Sequence, residues 1–440
     1  MPTAALAAFA VSTTSRDLPL QTRTRLQQCL LDTAGVTVAG ARLADSSEAI
    51  IAAITKSAGI GTTAVLGTAL RLPPGDAALL NGTFAHSLDF DDTHIASGLH
   101  PGAAVVSAAF AALGDADGED LTAALAVGYE VSCRVGAALG HGCYRRGFHP
   151  TAIAGIFGAV TAAARLQHLT ADEMVSAYGL AGSMAAGSMQ YLSNGGHNKR
   201  LHPGLAARNA LLACDIAASG VLGAASAFEG ALGVLHSYTE EPSADALSEG
   251  LGATWLMDGT GIKPYPSCRL THGAIDAALA IRTDTDLANP IRLAISPGAN
   301  MIVGGDDPRK REPRNSVDGQ FSVIFQAAAA LLDGRLDWSS YGRLADPDVR
   351  DLLQRIELSV DGTLPEAGAV LTIGSATVRV EDPSGEPGSD LSWDLVEAKF
   401  HGLTAPFLDA EARGRAVTLV RESGSPQDLV RALIPTERTR

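Results

Sequence analysis

Eight of the eleven histidines fall in five short segments that also carry Asp, Lys and Tyr: NGTFAHSLDFDDTH, LHPGAA, GHGCYRRGFHPTA, GGHNKRLHPG and KPYPSCRLTHGAID. Imidazole is the side chain whose ordinary pKa, about 6.5, lets it give and take protons near neutrality. Three of these histidines, His100, His149 and His202, directly precede proline. A residue before proline is pushed out of the helical region and proline favours the first turn of a helix, so each His-Pro is expected just ahead of a helix start. There an imidazole sits beside free N–H groups and the positive end of the helix dipole, a setting that suits an anion. Lys199 in NGGHNKRLHPG and Lys263 in KPYPSC add full positive charges: Lys199 reads as a carboxylate clamp or, if desolvated, a proton donor or base.

The run Asp89, Asp91 and Asp92 has two readings. It could supply oxygen ligands to a divalent ion, or it could divide into a cap, a partner for Lys or Arg, and a solvated carboxylate. One functional carboxylate beside His94 and His100 is the expectation, with no metal. The two prolines after Lys263 impose a rigid extended turn before the helix THGAIDAALAIR, which reads as a hinge carrying Cys268 and Arg269 at a cleft edge. A lone cysteine of this kind more often packs than reacts.

The elements that hold these segments divide along the chain. Up to about Gly259 apolar residues recur at helical spacing, as in Leu26, Leu30 and Leu31, and glycines inside the helical patterns imply close helix packing. Two stretches free of Asp, Glu, Lys and Arg, Gly147 to Ala164 and Met174 to Asn198, read as buried helices and not as membrane spans, because Gly, Ala and Ser dominate them. From about Tyr265 the stretches IRLAISPGANMIVGG, RIELSVDG and AVLTIGSATVRVEDP alternate as strands do, with a helix in FSVIFQAAAALLDG. After the Pro-, Gly- and Ser-rich EDPSGEPGSD the chain turns helical again. The expected fold is mainly α with an α+β second domain, because 440 residues exceed what one hydrophobic core usually fills, about 250 to 300 residues.

A net charge of -15 argues against nucleic acid and anionic membrane surfaces as partners, so an anionic substrate requires a locally positive site. Five scattered cysteines with no CxxC pair suggest neither a disulfide framework nor a zinc or iron–sulfur site, and a reducing cytoplasm fits them. The N-terminus lacks the basic and long apolar regions of a secretory signal. No dinucleotide GxGxxG in a strand-to-helix setting, P-loop or HExxH is found.

In this order the motifs HSLDFDDTH with HPG, YRRGFHPTA, KRLHPG and KPYPSCRLTH resemble the MmgE/PrpD family, which includes 2-methylcitrate dehydratase, cis-aconitate decarboxylase and iminodisuccinate epimerase. The resemblance covers nearly the whole chain. It implies a helical domain made from residues 1–262 and 396–440, an α+β lid of residues 263–395, a homodimer, and an active site between the domains that needs no cofactor. By motif position it implies Asp89, His100, His149, Lys199 and Lys263 as catalytic residues. Thr93, Tyr144, Cys268 and Arg269 are expected to contact a small polycarboxylate substrate. Two departures bear on the reaction: the loop from Thr93 to His100 is about a residue longer than in decarboxylase-like members, and Cys268 stands where those tend to have histidine. The expectation is therefore a dehydratase-type lyase acting beside a carboxylate, followed by a dicarboxylate epimerase and then a cis-aconitate-type decarboxylase. A binding protein for a carboxylate metabolite is the alternative of a different class.

Overall fold

A computed structural model describes residues 1–387 and 391–435. Residues 388–390, which end the stretch EDPSGEPGSD, and 436–440, which end the proposed helical domain, lie outside the described residues. The fold is mainly α with an α+β C-terminal region. The larger hydrophobic cluster collects side chains from Leu6 to Ile262 and again from Val396 to Leu433. A second cluster runs from Ala274 to Ile373 and takes in Met189 and Tyr191 from the first part of the chain.

Small residues let the helices come close enough to fix the site. The Pro74–Ser87 and Asn198–Ala218 helices cross at Gly82 and Gly204, where a Cβ on Gly82 would lie 2.8 Å from the Gly204 Cα and one on Gly204 2.2 Å from the Leu79 carbonyl oxygen. Any larger side chain would force the helices apart. The crossing sets Asp89, two residues past the end of the first helix, against Lys199, the second residue of the other.

A two-stranded antiparallel pair ties the far parts of the chain together. Thr93 lies opposite Gly261 and His94 opposite Thr260, which carries Lys263 back to Asp89. Beyond it, a four-stranded sheet has the spatial order Ile356–Val360, Ile291–Ile295, Ala369–Ile373, Ala376–Val380; the first pair is parallel and the other two antiparallel. The His272–Ile281 helix packs on this sheet and on the Val323–Asp333 helix.

Three local expectations are corrected. His202-Pro203 lies inside the Asn198–Ala218 helix, so Pro203 in its second turn gives up the bond to the Lys199 carbonyl, and burial of the helix outweighs that loss. In IRLAISPGANMIVGG only Ile291–Ile295 is a strand, because Ser296 caps a new helix with Pro297 at its first position. The stretch from Met174 to Asn198 is helical only to Gly182; beyond it run turns and the 3-10 helix Met189–Ser193. No described helix is long and apolar enough to cross a membrane.

Candidate active site

Asp89 is the centre of the site. Its backbone takes the left-handed conformation (φ 52°), uncommon for a residue with a side chain and costing on the order of 1 kcal/mol. Its Oδ1 is 2.6 Å from Lys263 Nζ and 2.9 Å from Lys199 Nζ, and its carbonyl accepts a second bond from Lys263 at 2.9 Å. Lys263 is wholly buried, Asp89 2% exposed and Lys199 7% exposed. Burial alone would raise the Asp89 carboxyl, but Lys199 and then Lys263 more than offset it and hold the group well below the usual carboxylate range. Its other oxygen, Oδ2, has no hydrogen-bond partner.

Lys199 stands in the first turn of its helix with Arg200 and no acidic residue. Cations there oppose the helix dipole. Anions brought from elsewhere offset this: Asp89 for Lys199, and Asp45 for Arg200. Two buried ammonium groups thus share one carboxylate, so a further anion is attracted to them.

Three imidazoles gather beside this triad. The rings of His86 and His100 are 4.8 Å apart, those of His86 and His149 5.6 Å, and those of His100 and His149 6.5 Å. His86 Nδ1 lies 2.7 Å from Asp91 Oδ2. An ionised carboxylate only accepts, so this ring carries its proton on Nδ1 and leaves a buried Nε2 without a partner. His100 donates from Nδ1 to the Asp92 carbonyl at 2.8 Å, with the Thr93 hydroxyl at 3.2 Å, which fixes its tautomer as well. His149 is different, because its Nδ1 meets Nδ1 of another histidine, His202, at 3.1 Å.

Burial pushes His86, His100 and His149 below the ordinary histidine pKa, and Lys199 adds to this in all three. They lie below the ordinary value of about 6.5 that suits imidazole to proton exchange, so at neutral pH the unliganded site holds neutral imidazoles. His86, Asp91 and His100 are the set with metal-ligand spacing among the described residues, their ligand atoms lying within 4.8 Å of one another. They are already hydrogen-bonded, and the nearby lysine charges that depress both histidines disfavour a second cation.

The remaining expected residues divide. Thr93 belongs to the His100 hydrogen-bond group. Tyr144 is close enough to Cys268 and Asp89 that, after burial, their charges raise its hydroxyl further. Cys268 donates its backbone N–H to the Gln320 carbonyl at 3.0 Å, and burial and then Asp89 push its thiol up to about 11, so it is not a thiolate at neutral pH. Arg269 is not brought into the cluster: it bonds Glu386, the carbonyls of Pro383 and Ser384, and His272. His94 caps a turn and bonds the Leu256 carbonyl.

Sequence reasoning passed over His86 and left Asp91 unresolved, although both lie in the same segment as Asp89. It also passed over Tyr191, whose buried hydroxyl has no partner and feels Tyr144, Asp89 and Cys268. Tyr191 falls in the charge-free stretch that reads as a buried helix, and nothing in its surroundings marks it.

The helical scaffold thus brings two buried lysines, a carboxylate and three imidazoles together from the segments that the motifs mark. Family models agree: the MmgE/PrpD N-terminal domain matches residues 4–246 and the MmgE/PrpD C-terminal domain residues 265–423, and the chain belongs to the MmgE/PrpD family. It is 30% identical over 402 residues to a cis-aconitate decarboxylase of Aspergillus terreus, covering 84% of this chain and 80% of that one. It is 29% identical over 391 residues to the Homo sapiens cis-aconitate decarboxylase, covering 82% and 78%. A cis-aconitate decarboxylase-like protein of Aspergillus oryzae is 27% identical over 425 residues, covering 90% and 86%. Lyase chemistry of this family is thereby supported, and the epimerase alternative gains nothing from these relatives.

Proposed function

We propose that this protein is a lyase that cleaves a bond beside a carboxylate of a cis-aconitate-like polycarboxylate, with decarboxylation the leading reaction. The observation that carries this reading is the buried Lys199–Asp89–Lys263 triad facing three neutral imidazoles. Lys199 and Lys263 bind substrate carboxylates; Thr93 lies against His100, and Tyr144 is within reach of the Asp89 charge. When carbon dioxide leaves, the electron pair of the broken C–C bond stays on carbon and spreads into the adjoining unsaturated acid. The fixed lysine charges stabilise it, an effect commonly worth about 10²- to 10³-fold in rate. An imidazole N–H then supplies the proton, worth about 10²- to 10⁴-fold.

The names of the relatives move decarboxylation from third place to first. Dehydration is kept as the second reading on account of Cys268, since a thiol held protonated does not replace the histidine of decarboxylase-like members as a charged group. Proton NMR in deuterated water with cis-aconitate, citrate, 2-methylcitrate and tartrate-like acids separates the two readings. Loss of the carboxyl with deuterium at the neighbouring carbon is expected. Elimination of water with all carboxyls retained replaces decarboxylation by dehydration, and tight binding without turnover or exchange overturns the enzymatic reading.

A further inference from the structure

A decarboxylation consumes one proton per turnover, and a site built from buried groups needs a route by which that proton is replaced. Among the three clustered imidazoles the routes are unequal. His100 donates Nδ1–H to a backbone carbonyl, which passes no proton on, and His86 donates Nδ1–H to Asp91, itself buried. His149 alone of the three meets a second titratable ring through Nδ1, that of His202 at 3.1 Å. Between two neutral imidazoles one nitrogen donates and the other accepts, so a proton shifts across this contact if each ring exchanges tautomer.

His202 faces a cavity of about 200 Å³ that it lines with Ala152, Met184, Gly187, Leu205 and Asn209. The volume holds several waters. Its rim is at the surface: Leu205 is 43% exposed, and Ala186 and Ser188, which also border it, are exposed. None of the lysines or carboxylates of the substrate site lines this cavity, so it lies behind the histidines and apart from the charged triad. Gly187 packs against the pair, since a Cβ there would come 2.6 Å from Ala152 Cβ, 3.5 Å from His202 Nδ1 and 3.6 Å from His149 Cβ.

We infer that His202 is a positioning residue that reloads His149 with protons from water in the cavity behind it, so that His149 is the acid and His100 is not. This rests on the decarboxylase reading. In each cycle the C–CO₂ bond breaks and its electron pair remains on carbon. The pair spreads into the adjoining unsaturated acid, and His149 Nε2–H gives its proton to the neighbouring carbon at the far end of that system. His202 Nδ1–H passes a proton to His149 Nδ1, and cavity water protonates His202 at Nε2, leaving hydroxide that hydrates the released carbon dioxide to bicarbonate. Before the next turnover each ring exchanges tautomer through water, which returns the protons to His149 Nε2 and His202 Nδ1. The balance is one proton taken from solvent and one carbon dioxide released.

The test uses the full-length protein. In H202A, kcat for decarboxylation is expected to fall at least 30-fold while KM changes less than threefold, and added imidazole, entering the enlarged cavity, is expected to restore at least tenfold. Leu205→Trp, which narrows the mouth and leaves every histidine in place, is expected to slow kcat without changing KM. Unchanged kcat in H202A, or a loss that imidazole does not restore, overturns the relay. Where H202A does not fold, the same readings are taken on H202Q. A second measurement needs no substrate: exchange of the His149 imidazole N–H with water, followed in protein labelled with ¹⁵N-histidine, is expected to slow at least tenfold in H202Q. Equal exchange rates overturn the relay even if the protein proves to be no decarboxylase; slowed exchange without turnover leaves the relay standing and refutes the decarboxylase reading alone.

Discussion

Replacing Asp89 by Asn tests whether the site is held together by one carboxylate between two lysines. Asn keeps the shape of the side chain and removes its charge, leaving the ammonium groups of Lys199 and Lys263, 2.9 and 2.6 Å from Oδ1, facing a neutral amide in place of a counter-ion. Removing one partner of a buried ion pair typically costs about 3 to 5 kcal/mol. With an unfolding entropy of about 2.1 cal/mol/K per residue, a cooperative unit of 440 residues loses roughly 1 °C per kcal/mol, so Tm should fall by about 3 to 5 °C. The pH dependence has a definite sign. The folded-state pKa of Asp89 is depressed, so its stabilisation is present above the unfolded value of about 3.9 and is lost as pH falls through the folded value. The Tm gap between D89N and the parent should therefore be constant from neutral pH down to about 5 and close below about 4. A polycarboxylate ligand, supplying the missing charge, should narrow the gap at neutral pH, while turnover should fall by about 10²-fold or more because the lysines are no longer fixed. Differential scanning fluorimetry across pH, with and without cis-aconitate, reads all of this. A Tm within 1 °C of the parent, or a gap that does not change below pH 4, would refute the central role given to this carboxylate.

Other consequences are open to simple measurement. Because burial and Lys199 keep His86, His100 and His149 neutral, binding of a polyanion should raise their pKa values and take up about one proton at neutral pH; calorimetric titrations in buffers of different ionisation enthalpy should show that uptake, and identical heats in all buffers would contradict it. Cys268→Ser should keep kcat within about threefold, since a thiol at about 11 is neither base nor nucleophile near neutrality; a 100-fold loss in the steady-state rate would show otherwise. Arg269→Ala should lower Tm by a few degrees through the lost contacts to Glu386, Pro383 and Ser384 while leaving KM within about twofold; a large rise in KM at unchanged Tm would return Arg269 to the substrate. Treatment with a chelator should leave turnover intact, and loss of activity that Zn²⁺ or Mn²⁺ restores would make a metal site of His86, Asp91 and His100.

What the sequence made legible follows from the range of the interactions involved. The strands at 291–295, 356–360, 369–373 and 376–380 and the helix at 323–333 are local patterns of alternation and periodicity, and they stand where those patterns put them. The His-Pro rule worked at His100 and His149, where proline opens a helix, and failed at His202. At His202 the helix starts four residues earlier, and the Gly82–Gly204 crossing holds it there, a contact between parts of the chain more than a hundred residues apart. Arg269 shows the same limit in reverse, since a cation next to a cleft motif has no visible reason to be spent on backbone carbonyls at 383 and 384 until the fold brings them together.

Residue types are legible in a sequence where protonation states are not. The motifs announce which groups meet, because lysine, aspartate and histidine must be supplied by the sequence. Their charges are set by what surrounds them. Asp89 and Asp92 are three residues apart and both buried, yet Lys199 and Lys263 hold the first well below the carboxylate range, while burial pushes the second up to about 8 despite hydrogen bonds from Tyr129 and Gly102. A run of three aspartates thus yields an ionised anchor at Asp89, an ionised partner for His86 at Asp91, and at Asp92 a carboxyl that burial pushes up to about 8. The division of labour comes from helix crossings and from one two-stranded pair at Thr93 and Gly261, and these long-range contacts convert a local acidic motif into a site with a defined charge at each position.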